Sequence, residues 1–480
     1  MASTRRPPGQ LFPRSALRAG RRPAAPGRSV LLAVLAVPIA FAAPAWASAT
    51  PPHADLTAHW AGFVAVGLFV LAYALVIAEE RTHLRKSQPV MMAAAVIWGV
   101  LAVVASQLGE AERVHFAVRE YLVEFAELLL FLLAAMTYVN AMSERHLFEA
   151  LRVRLLQRGF GYRTLFWVTG ALAFMLSPVI DNLTTALVMC AVVLAVGRDS
   201  PRFVSLACIN IVVAANAGGA FSPFGDITTL MVWQSGRVPF WAFFGLFLPA
   251  VVNWLVPALC MHWAVPQGEP APAQDQVGLK RGAWGIVALF GLTVAMAVGF
   301  HSVLHLPPFM GMIAGLALLK LYGWRLAGTA RLAAERSEYE RQGAPGDVDA
   351  FDSYEQVARA EWDTLLFFFG VIMCVGALGY CGYLALLSQN LYGELGATNA
   401  NVLIGLMSAV LDNIPIMVAV LQMDPEMSTG QWLLVTLTAG VGGSLLSIGS
   451  AAGVALMGQA RGRYTFFGHL KWSWAIALGY

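Results

Sequence analysis

Eight stretches of this chain, 61–78, 91–108, 121–141, 240–262, 284–301, 308–323, 363–388 and 464–480, are apolar for long enough to cross a bilayer, whose hydrocarbon core is about 30 Å thick. In lipid every backbone N–H and C=O must find its partner inside the chain, so such stretches become helices or strands of a closed barrel. Lengths near 20 residues select helices. The composition agrees, because 58% of the 480 residues are hydrophobic and only 12% charged, about half the charged share of a soluble domain. The expected fold is therefore an all-α polytopic membrane protein, and a soluble enzyme is excluded as the default.

Four further regions are apolar but interrupted. Residues 164–197 and 400–422 are broken centrally by Ser-Pro-Val-Ile-Asp-Asn (177–182) and Ser-Ala-Val-Leu-Asp-Asn (408–413). Their pieces are short, and polar tips at membrane depth are tolerated only where they are buried in protein or line a cavity, so both regions read as re-entrant hairpins. Residues 203–236 and 430–460 are interrupted by Gly218-Gly219 through Gly225-Asp226 and by Gly442-Gly443 through Gly449-Ser450. Glycine and proline there open the backbone, which predicts two broken helices and about ten full crossings in all.

The order of elements repeats. Three spans, a hairpin, a broken helix and a last span within 50–266 are followed by the same six elements within 280–480. Asp181-Asn182 matches Asp412-Asn413 at an offset of 231, and Gly218-Gly219 with Gly225 match Gly442-Gly443 with Gly449 at an offset of 224. Five crossings separate the hairpins, so the two enter from opposite sides, an inverted-topology repeat of the kind secondary transporters use.

Orientation follows from the basic residues, which collect in cytoplasmic loops. Residues 1–28 hold seven arginines and no acid, and the apolar run from Val30 to Ala45 ends in Ala47-Ser48-Ala49. Residues 1–49 thus have the order of a secretory signal peptide, with an uncleaved anchor as the alternative. Either way Thr50 faces outward and the chain is expected in a bacterial inner membrane as a multi-pass protein. Starting there, Arg81, Arg85 and Lys86, then Arg145 to Arg163, Arg198 with Arg202, Lys280 with Arg281, the loop 325–362, and Arg461 with Arg463 all fall inside. Without residues 1–49 the net charge changes from +3 to −4, so the basic balance belongs to the leader and no nucleic-acid partner is implied. The five cysteines lie in apolar segments without a CxxC pair and read as small core residues.

Chemistry is expected where charge is costly. Asp181 is the only charged residue of 164–197, Asp226 of 203–236 and Asp412 of 400–422, while 430–460 has none. An ionisable group at membrane depth is paired or functional, and these four elements supply no lysine or arginine. The counter-charge is then a proton or a metal cation. The surrounding donors are oxygens, from Asn182, Thr184, Thr185, Asn216, Ser222, Asn413, Ser444, Ser447 and Ser450, which suit a hard ion such as Na+ or Li+. Half-helix C-terminal ends at the breaks add negative dipole. A carboxyl removed from water favours its neutral form, so a proton and Na+ can compete for one carboxylate, and that competition is what antiport requires. Asp181 and Asp412 are the expected shared sites, with Asp226 close by as a third ligand or as a helix cap. Glu120, Glu124 and Glu127 share one helical face, with Glu127 deep enough to relay protons. His301 and His305 stand four residues apart beside Pro307-Pro308, which reads as a surface loop and not a metal site. No cofactor is expected.

The residues Ser177 to Leu187, Ala215 to Asp226, Asp412-Asn413-Ile414-Pro415, Ala135-Met136-Thr137-Tyr138 and Glu361 to Phe368 resemble the NhaD-type Na+/H+ antiporters of the ion transporter superfamily. The similarity runs from about residue 60 to the C-terminus. It implies exchange of Na+ or Li+ for H+, a scaffold holding a transport domain that moves like an elevator, and, as in many superfamily members, a homodimer. The dicarboxylate and sulfate carriers of the superfamily resemble Ser-Asn-Thr at the hairpin tips, whereas both tips here read Asp-Asn, which repels an anion. A sodium-coupled anion or metalloid carrier of the same fold is the alternative, and an intramembrane aspartyl protease using Asp181 and Asp226 is a more distant one.

Overall fold

The computed structural model describes residues 54–197, 199–269, 278–339 and 353–480. The leader expected over 1–49, the outward-facing Thr50 and the middle of the loop expected over 325–362 lie outside the described residues. Among the described residues the chain is helical throughout, without strands. The first half holds α1 (Trp60–Ile77), α2 (Ser87–Leu108), α3 (Ala111–Glu144), α4 (Tyr162–Ile180), α5 (Asn182–Val196), α6 (Pro201–Gly219), α7 (Ile227–Gln234) and α8 (Phe247–His262), the last entered through a 3-10 turn at Phe240–Leu246. The second holds α9 (Ala283–Ser302), α10 (Phe309–Tyr339), α11 (Trp362–Tyr380), α12 (Leu395–Met407), α13 (Asn413–Met423), α14 (Thr429–Gly442) and α15 (Ala451–Gln459).

Nine of the described helical segments are long and apolar enough to cross a membrane. They include α4 and α6, whose partners α5 and α7 are shorter. The bundle is sorted by exposure: α1 shows most of its apolar surface outward, as a lipid-facing helix does, while α6 is buried along almost its whole length. The segment expected as a span over 464–480 forms two short helices, Phe466–Leu470 and Ser473–Gly479. Thr465 caps the first, accepting from the Gly468 amide at 3.2 Å, the chain turns at Lys471-Trp472, and the second packs along α8.

Matching contacts occur in the two halves. In the first half Ser177 Oγ donates to the Ala215 carbonyl at 2.6 Å, and in the second Ser408 Oγ donates to the Ala439 carbonyl at 2.7 Å. Serines 231 residues apart thus tie each Asp-Asn turn to its neighbouring interrupted helix at carbonyls 224 residues apart. Both interruptions fold glycine against glycine. A Cβ on Gly225 would lie 2.6 Å from Gly219 Cα, and one on Gly443 would lie 2.5 Å from the Gly449 carbonyl oxygen, so no larger residue fits either bend. The halves interlock, α5 packing against α15 and α13 against α7. Each half therefore closes around the break of the other.

Candidate functional site

At the start of α7, Asp226 caps the helix, its Oδ1 accepting from the Thr228 amide at 3.2 Å, while the Thr229 hydroxyl closes a capping box with the Asp226 backbone. A cap occupies one carboxylate oxygen. The other, Oδ2, accepts from Asn182 Nδ2 at 3.0 Å and from Asn413 Nδ2 at 2.9 Å. The two asparagines open α5 and α13, so one buried carboxylate joins both Asp-Asn turns. Asp226 is only 4% exposed.

The junction continues into the second interruption. Asn182 Nδ2 also reaches Asn216 Oδ1 at 3.1 Å, and Asn216 Nδ2 donates to Ser444 Oγ at 2.8 Å and to Ser450 Oγ at 3.0 Å. Ser450 in turn caps α15 by accepting from the Gly453 amide. All these side chains are buried. Gly440 stands where the repeat would place a second Asn216, and a Cβ there would be 3.8 Å from Asp226 Oδ2. The missing side chain leaves space beside the carboxylate.

Asp181 is the N-cap of α5, Oδ1 accepting from the Thr184 amide at 2.8 Å, and its φ of +86° with ψ of 155° lies where L-residues rarely go, at a cost of about 1–3 kcal/mol. Asp412 occupies the same place before α13, facing the amides of Asn413 and Ile414 without a capping bond as tight as that of Asp181; its Oδ1 is buried and lacks a hydrogen-bond partner among the described residues. The hydroxyls of Thr185 and Thr228 are likewise buried without partners there. Ser222 accepts from the Phe224 amide at 3.3 Å, and Ser447 Oγ turns to Met457 Sδ at 3.3 Å. Glu127 is half-buried one turn before Phe131 on α3. His301 packs edge-on against Trp233, and no group of three or more His, Cys, Asp or Glu among the described residues is placed to hold a metal.

A cavity of about 100 Å3 reaches this junction, with room for several waters. Asp181, Asn182, Thr184, Asp226 and Asn413 line it, whereas Asp412, Thr185, Asn216, Ser222 and the three serines of the second break do not. Its wall also carries Lys86, Arg359 and Glu361. The four interrupted elements do lack basic residues, as expected, but neighbouring segments bring two to the cavity. Thr228 and Lys86 were not singled out from the sequence. Thr228 stands two residues after the N-cap Asp226, where Leu183 stands after Asp181, and Thr229 stands three after it, where Thr184 stands; Lys86 carries only an orientation signal in the sequence.

The family described as citrate transporters matches residues 73–440. The chain is 56% identical over 448 residues to the Na+/H+ antiporter NhaD of Alkalimonas amylolytica, covering 92% of each chain. It is 56% identical to the Na+/H+ antiporter NhaD of Vibrio cholerae over 89% of this chain and 91% of that one. At greater distance, sodium/proton antiporter 1 of Arabidopsis thaliana is 32% identical over 82% of this chain and 66% of that protein.

Proposed function

Because this chain belongs to the family of NhaD-type Na+/H+ antiporters, we propose that it exchanges Na+ or Li+ for H+ by letting the two ions compete for buried aspartates with alternating access. It is a multi-pass membrane transporter and not an enzyme, which sets the protease reading aside. The observation that carries the proposal is the Asp226 carboxylate held by the amides of both tips, Asn182 and Asn413. A group bonded to both halves feels any change in their separation, so binding at Asp226 and movement of the halves are coupled. The unpartnered oxygens of Asp412, Thr185 and Thr228 are ligands of the type that suits a hard cation, beside Asp181, Asn216, Ser222, Ser444, Ser447 and Ser450. A proton on the same carboxylate neutralises the same charge, so each ion displaces the other. Glu127 relays protons on this reading.

The region 164–197 and its counterpart 400–422 act as re-entrant hairpins, with the basic end of the bundle toward the cytoplasm and the N-terminus outside. The protein sits in a bacterial inner membrane and works as a homodimer in the lipid bilayer. One observation favours a second reading, a sodium-coupled anion carrier: the matching family is described by an anion, and Lys86 and Arg359 stand in the cavity wall. The two aspartates that line it, Asp181 and Asp226, oppose an anion.

The test is proton release from acidified everted vesicles on addition of NaCl, LiCl, KCl or choline chloride, for wild type, Asp181→Asn and Asp412→Asn. Collapse of the gradient by Na+ or Li+ in wild type, lost in either variant, supports both the exchange and its site. If no cation moves protons, function passes to the anion carrier; if both variants exchange as wild type does, competition at these aspartates is wrong.

A further inference from the structure

Among the charged side chains of the cavity wall, Lys86 stands apart. Arg359 is paired with Glu355, and Glu361 accepts from the Thr364 hydroxyl at 3.2 Å. Lys86 makes no ion pair among the described residues. It is half-buried at the N-cap of α2, and its Nζ lies 5.0 Å from the centroid of the Phe367 ring on α11. The next residue, Ser87, is bonded through its hydroxyl to Asp363, which fixes this end of α2 against α11. An ammonium resting on an aromatic face is held near one position. That position is in the lining of the same cavity that Asp181 and Asp226 line.

A cation transporter gains no binding strength from a fixed positive charge there. What it gains is release. An ion must bind well enough to enter and weakly enough to leave, and buried aspartates with no compensation hold both Na+ and H+ too tightly. Resting on the antiporter reading above, we propose that Lys86 is a positioning residue for exchange: its ammonium offsets the charge of the junction aspartates, Asp412 together with Asp181 and Asp226, when neither ion is bound, weakening both ions so that each can depart. The charged groups that face Lys86 are Asp412, which the ammonium attracts, and Asp181 and Asp226 across the cavity, with Arg359 and Glu361 in the same wall and Asp363 one residue along. Asp412, Asp181 and Asp226 belong to the ion junction. Arg359 is engaged by Glu355 in an exposed pair, where water screens its charge.

This fixes the sign of a measurable effect. Unit charges about 10 Å apart at an effective dielectric constant of about 20 are coupled strongly enough to change an affinity roughly tenfold. In everted vesicles, Lys86→Gln is expected to lower the half-saturating NaCl at alkaline pH by up to about tenfold. It also moves the working pH window to the alkaline side, because the proton is held more tightly as well, and slows the maximal rate. Lys86→Arg keeps the charge and is expected to restore wild-type half-saturation. A merely structural lysine would not tighten Na+ binding when removed. Unchanged half-saturation in Lys86→Gln, a rise in it, or equal loss of exchange in both variants overturns the proposal. Calorimetric titration of the purified full-length protein with NaCl gives the same ordering if vesicle activity is too low to fit. A wild type that shows no Na+- or Li+-driven proton movement overturns the antiporter reading instead.

Discussion

Replacing Asn413 with alanine removes one of the two amides that hold Asp226 Oδ2, the one at 2.9 Å. The remaining amide, from Asn182, is 3.0 Å away and is shared with Asn216. A hydrogen bond to a charged group contributes about 1.5–3 kcal/mol, and this one stabilises the carboxylate only while it is ionised. Its loss favours the protonated form. Since one pH unit corresponds to about 1.4 kcal/mol, the pH of half-maximal exchange at fixed NaCl is expected to move alkaline by roughly one to two units. Na+ then competes with a more firmly held proton, so half-saturating NaCl at a given pH below that midpoint rises about tenfold per unit. The assay is Na+-driven proton release from everted vesicles across a pH series, with protein amounts matched. A midpoint that stays in place or moves to the acid side refutes the claim that the second tip tunes the carboxylate.

Asp226→Asn is expected to abolish exchange and to destabilise the fold. The new amide must turn either its NH2 toward the asparagine donors or toward the Thr228 amide, leaving at least one buried donor facing another at about 1–3 kcal/mol, readable as a lower melting temperature of the detergent-purified protein. Ser177→Ala and Ser408→Ala remove matching bonds to Ala215 and Ala439, so each is expected to lower stability by a similar ~1 kcal/mol. A large effect at one and none at the other would mean that the two tips are not held alike.

The positions of the chain breaks were legible because hydropathy and glycine act locally. The region expected at 164–197 becomes Tyr162–Ile180 and Asn182–Val196, and the breaks expected within 203–236 and 430–460 lie at Gly219–Gly225 and Gly443–Gly449. A bend that needs two glycines in contact leaves its mark in the sequence. What joins the two halves does not. Asp226 as a helix cap and Asp226 as a junction of both tips look identical in a sequence, because the second role depends on Asn182 and Asn413 arriving from 44 residues before and 187 residues after it. Lys86 was hidden for a similar reason, since a lysine at a helix start marks orientation whether or not a cavity forms beside it. The ending at 464–480 was misjudged in shape because its mean apolarity conceals the turn at Lys471-Trp472.

The family's description by an anion and this chain's relatives named for cation exchange meet in one architectural fact. Four helices, α5, α7, α13 and α15, begin at the breaks and tips, and helix N-termini with free amides are ready-made anion sites. In this chain three of them are closed by their own side chains: Asp181 on the Thr184 amide, Asp226 on Thr228 and Ser450 on Gly453. A carboxylate cap both consumes the N–H groups an anion would need and places a negative charge at the positive end of the dipole. An anionic substrate would have to displace these caps and then sit beside them. A cation needs neither step, because Asp226 Oδ2 and the unpartnered Asp412 Oδ1 still offer oxygen. Two carboxylate caps at the half-helix N-termini thus disfavour an anion and leave oxygens that suit a cation.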